Sequence, residues 1–147
     1  MVQSATWRST ERAEAGRREA ARAETRRTER MAAVDRFLTS AEAAERLAND
    51  HHLYGAQGAE WQNNANAAMG RVWVAEKMIR ILCTPTLDEA AGAFTTALEG
   101  AIYRCSPGEI DIFDYLRPGR TGFLNAARIE LDMLDPDPAS TTADTRS

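Results

Sequence analysis

Lysine is almost missing from this chain: Lys77 is the only one, so positive charge is carried by arginine. Long apolar runs are missing too. No window approaches the roughly 18 consecutive apolar residues that a membrane span needs, and the N-terminus lacks the short apolar run of a secretory signal. A cytoplasmic location is the expectation that follows. Cysteine is scarce, and Cys83 and Cys105 fall near opposite ends of one expected helix. At about 1.5 Å per residue they stand roughly 30 Å apart, beyond the reach of a disulfide, and are expected to be reduced thiols.

The signatures of chemistry are equally sparse. The two histidines, His51 and His52, are adjacent. Metal ligands on a helix recur three or four residues apart, so neighbours point their rings in different directions. Neither cysteine belongs to a Cys-x-x-Cys knuckle, and no Glu-x-x-His pair marks a di-iron bundle. There is no nucleophile elbow, phosphate-binding glycine loop or Ser/His/Asp set in a recognisable context. Glu60, Glu76, Glu99 and Glu130 could supply a carboxylate pair, but each lies at the edge of an apolar stripe or off it and reads as solvated surface. No catalytic, metal-ligating or cofactor-binding residue is assigned, and an enzyme is the least supported class.

The 147 residues fit one domain of ordinary size. Alanine dominates the 44% hydrophobic content and aromatics are only 7%, so the larger apolar side chains, gathered between Met31 and Leu134, must form the core. The net charge of -4 hides an asymmetry. Residues 1–30 hold eight arginines (8, 12, 17, 18, 22, 26, 27 and 30) against five glutamates (11, 14, 19, 24 and 29), a net +3 that leaves -7 for the remainder.

Residues 9–30 contain Arg, Glu, Ala and Thr with no large apolar residue, so a helix there has no hydrophobic stripe to bury. Ion pairs three and four apart, Glu14 with Arg17 and Arg18, Glu19 with Arg22 and Glu24 with Arg27, support it by about 0.2–0.5 kcal/mol each. Alanine favours the helix, and Gly16 weakens it by about 1 kcal/mol. From Met31 a stripe begins through Val34, Leu38, Ala41, Ala44 and Ala48, widened by Phe37 and Leu47. The polar, glycine-containing run 49–58 reads as a loop.

A second helix is expected over 60–82, with Trp61, Ala65, Ala68, Val72, Ala75, Ile79 and Leu82 on its stripe and Trp73 in the core. Pro85 ends it. Thr86 and Glu89 have the spacing of a capping box for a third helix. That helix carries Leu87, Ala91, Phe94, Leu98, Ala101 and Ile102 and stops at Ser106-Pro107-Gly108. Its early residues have a faint helix-turn-helix flavour, but the repeat runs unbroken through Gly92 and predicts a single core helix. A short turn over 110–116 precedes a last helix that starts at Pro118 and presents Phe123, Leu124, Ala127, Leu131 and Leu134.

The fold expected is an all-α, antiparallel bundle of three to four helices over 31–134, with a charged helical arm over 1–30 and a disordered tail over 135–147. The order Arg26-Arg27-x-x-Arg30, Val34, Phe37-Leu38, Ala41, with the later Phe123-Leu124-Asn125-Ala126-Ala127-Arg128, resembles a loose group of small helical proteins of high-GC bacteria. The resemblance implies a helical bundle behind an Arg-rich stretch and brings no function with it.

The expected role is that of a helical interaction or scaffold protein, self-associating or binding a protein partner. The contact residues singled out are Trp7, ahead of a charged segment with nothing apolar nearby, and the four-apart ridge Arg18, Arg22, Arg26 and Arg30. The same ridge could track phosphates, making a nucleic-acid accessory role the alternative.

Overall fold

The computed structural model describes residues 2–134, with side chains described over 5–132; the tail of 135–147 and the Leu134 side chain lie outside the described residues. The described chain is all-α: α1 (Val2–Tyr54), α2 (Ala59–Leu82), α3 (Pro85–Glu99), a π-helical turn (Gly100–Arg104) and α4 (Ile112–Leu134).

Direction and neighbourhood follow from side-chain pairs. Trp61 Nε1 donates to Leu47 O at 3.0 Å and Arg30 Nε to Leu82 O at 2.9 Å, so α1 and α2 are antiparallel. Between α2 and α3, Trp73 Nε1 donates to Glu99 and Arg80 Nε meets Asp88, again antiparallel. Thr84 meets Glu130 at one end of the α3–α4 pair. At its middle, a methyl on Gly119 would come within 3.0 Å of Phe94 Cα, so the two backbones touch there. Arg120 clamps Glu45 with two hydrogen bonds, Nε to Oε1 at 2.9 Å and Nη2 to Oε2 at 2.7 Å, closing α4 onto α1. The result is an up-down-up-down four-helix bundle.

The core is aliphatic and alanine-rich, centred on Phe37, whose ring lies 4.6 Å from that of Phe123 and 6.2 Å from that of Phe94. Ala41, Ala44 and Ala48 of α1 and Ala65, Ala68 and Ala75 of α2 are fully or almost fully buried. Small side chains at the contact bring helix axes toward the short end of the usual 8–10 Å.

Four local boundaries and the setting of one side chain differ from the sequence reading. The run 49–58 is not a loop throughout: α1 continues to Tyr54, because Ala44, Ala48, His51 and His52 carry on its buried spacing. The link shrinks to 55–58, where Gly55 (φ 70°) and Gly58 (φ 101°) take left-handed conformations. The cap of α3 is Thr84, whose hydroxyl accepts from Leu87 N at 3.4 Å with Pro85 in the first turn, instead of Thr86.

The third helix ends in a π turn, with Cys105 N donating to Gly100 O. α4 starts well before Pro118: Asp111 Oδ1 accepts from Phe113 N and Asp114 N, while Ile112 and Leu116 bury the first turn. Capping and burial together outweigh the donor that Pro118 lacks inside the helix. Finally, Trp73 is 40% exposed. One position beyond buried Val72 it sits about 100° around the helix, off the core face.

Candidate functional site

α1 is 53 residues long, about 80 Å at 1.5 Å per residue, and only its second half packs in the bundle. Residues 5–26 are exposed on every side, a rod of roughly 33 Å with solvent all round. The apolar stripe that would fold it back is missing from its sequence, so helix propensity and ion pairs sustain it. Arg18 lies 3.8 Å from Glu14, and Arg27 4.0 Å from Glu24. Thr10, Thr25 and Thr28 turn their hydroxyls back onto carbonyls one turn earlier.

Trp7 is 65% exposed toward the N-terminal end of this rod. Arg18, Arg22 and Arg26 are exposed and share one side of it, as their spacing requires. Arg30 does not join them. It is half-buried, with Nε donating to Leu82 O and Nη1 lying 4.0 Å from Glu130 Oε1. The four-residue ridge is therefore a three-residue ridge, and its fourth member ties the arm to the bundle.

The knot around Arg30 gathers all four helices at one end of the bundle. Glu130, only 2% exposed, accepts from Thr84 N at 3.2 Å and from Thr84 Oγ1 at 2.5 Å. Thr84 thereby donates to α4 while capping α3, and Arg30 brings α1 to the C-terminal end of α2. Sequence reasoning placed Glu130 on solvated surface. It falls three residues after buried Ala127 and seven after buried Phe123, and that register was the signal for an inward carboxylate. Cys83, the cap residue of α2, sits beside the knot; burial, and then the Glu130 carboxylate, push its thiol up to about 11, with Arg30 opposing. A thiol so held is a poor nucleophile at neutral pH.

At the far end, His51 and His52 are buried helical residues, not loop residues. The His51 ring stacks on Trp61 with centroids 4.3 Å apart, and its Nδ1 lies 2.6 Å from Ala56 O. His52 Nε2 lies 2.7 Å from Ala101 O, fastening α1 to the π turn. Both rings meet backbone carbonyls, which suits a structural fastening of α1 to the link and the π turn. Among the described residues no group of three or more His, Cys, Asp or Glu could hold a metal ion. The glutamates weighed as an acid–base pair do not converge: Glu76 pairs with Arg80, Glu99 accepts from Trp73, Glu130 belongs to the knot, and Glu60 is exposed.

Two open depressions of 290 and 480 Å³ run along the α1–α2 surface, lined largely by Ala32, Ala33, Met78 and Leu82 and by Ser40, Ala67, Gly70 and Val74. No helix among the described residues is long and apolar enough to cross a membrane. Compared with known protein families, with curated proteins and with solved structures, the chain matches none.

Proposed function

We propose that this protein is a helical interaction or scaffold module whose working surface is the arm, used to pair with another helix, and that it self-associates in a coiled-coil manner. The observation behind this reading is the arm itself. About 33 Å of exposed, continuous helix extends from a bundle whose core closes without it. An isolated helix exposed on all sides gains nothing from tertiary packing, which supplies most helix stability in proteins, whereas docking against a partner helix restores it. Trp7, exposed toward the N-terminal end of the arm, is the residue type most enriched among interface hot spots and offers a contact beside the pairing face. A cytoplasmic setting is part of the same reading, supported by two free cysteines.

Light scattering coupled to size exclusion, with absorbance followed at nucleic-acid and protein wavelengths, tests it. A dimer or larger species free of nucleic acid is expected. A monomer that co-purifies with nucleic acid released by salt would replace this reading with a phosphate-binding one, carried by Arg18, Arg22 and Arg26.

A further inference from the structure

Resting on the self-association just proposed, we infer that the arm's occupant is the same arm of a second copy, paired antiparallel, so that two bundles stand at opposite ends of one two-stranded rod.

The inward face of α1 within the bundle is Val34, Phe37, Ala41, Ala44, Ala48 and His51, all buried and alternately three and four residues apart. Followed back toward the N-terminus, the same spacing passes through half-buried Arg30 and Arg27 and then Ala23, Ala20, Gly16, Ala13, Ser9 and Thr6. The arm therefore prolongs the bundle's own seam as a heptad seam of small residues. Gly16 lies at its middle. It costs the helix about 1 kcal/mol relative to alanine, and the space around its missing Cβ is open to 4 Å, so packing within the chain does not explain it. Close approach of another helix backbone does.

Charge chooses the orientation, since residues flanking a heptad seam set partner and direction. In a parallel pair in register, Arg12 faces Arg17 of the second copy and Glu19 faces its Glu24, each contact occurring twice and each repulsive. In an antiparallel pair centred between Ala13 and Gly16, Arg12 faces Glu19 of the second copy, twice by symmetry, and Arg17 faces Thr10. That register overlaps the whole arm and stops where the knot begins, so the bundles do not collide. It also leaves Arg18 and Arg22 on the outside of the pair.

Small-angle X-ray scattering of the full chain, alongside its solution mass, reads the geometry. Two α1 helices of about 80 Å overlapping over the arm span about 120 Å, whereas a parallel pair or a monomer spans about 80 Å. Arg12→Glu turns two attractions into two repulsions and is expected to weaken the dimer about ten-fold, with Arg12→Glu/Glu19→Arg restoring it. Both positions are exposed on the arm, and an unchanged thermal transition verifies that the bundle stays folded. A dimer of about 80 Å that Arg12→Glu tightens, by setting the introduced carboxylate against Arg17 of the second copy, overturns the antiparallel pairing and leaves self-association standing. A dimer indifferent to Arg12→Glu overturns the arm as its seam. A monomer at concentrations up to about 1 mM overturns the pairing and the self-association together.

Discussion

Glu130 is the residue on which most of the architecture converges. Its carboxylate accepts from a backbone amide and a hydroxyl and faces the Arg30 guanidinium 4.0 Å away, at the meeting of four helices. Glu130→Ala leaves the Thr84 amide without its acceptor and Arg30 without its counter-charge, and is expected to lower unfolding stability by about 2–3 kcal/mol in urea titration. Cys83 beside it responds to alkali. Its folded pKa of about 11 stands above the ordinary 9.0, so the folded state holds the proton more tightly than the unfolded one. The contribution is fully present below about pH 9 and is lost as pH rises through about 11. Thermal scans across that window should show the wild type losing stability more steeply than Cys83→Ala. At pH 8 the folded Cys83 thiol should react with a disulfide reagent more slowly than it does in urea.

At the scale of the helix, Arg30 already contacts the bundle through Leu82 and Glu130. Removing residues 2–25 should leave the melting temperature within a few degrees of the full chain, because residues 5–25 are exposed helix. Removing residues 2–30 also deletes the Arg30 contacts to Leu82 and Glu130 and should lower it further; equal melting temperatures for the two truncations would show that those Arg30 contacts contribute nothing. The stripes of the second and third helices were legible in the sequence because Val72, Ile79, Phe94 and Leu98 recur at helical spacing and are buried in the structure. Ends were harder. Asn49, Asp50 and two histidines look like turn formers, but the carbonyls of Ala56 and Ala101 take up the His51 and His52 rings, so both histidines are buried in the helix. Pro118 looks like a helix start, yet Asp111 caps the helix seven residues earlier. The knot was only partly legible: the register of Glu130 with Phe123 and Ala127 points its carboxylate inward, but Arg30 and Thr84 are far from it in sequence and nothing local pairs the three.

For the molecule as a whole, a solvated rod and a packed bundle predict two tiers of stability. Amides of residues 5–26 should exchange with deuterium close to the rate of an isolated helix, while those around Phe37, Met69, Phe94 and Phe123 are released only by global unfolding. Dimer formation should slow the first tier in a concentration-dependent way and leave the second unchanged; protection of the arm independent of concentration would mean that it packs on its own bundle. The continuity of α1 sets how such a molecule can vary. No glycine or proline interrupts it between Arg17 and Tyr54, so arm and bundle share one helical phase. One residue inserted near Thr25 would leave both parts folded yet swing the outer face by about 100°, whereas seven would lengthen the arm by about 10 Å and return that face almost to its starting angle. Among homologues with arms of different length, steps of seven are the ones that keep the two halves in alignment.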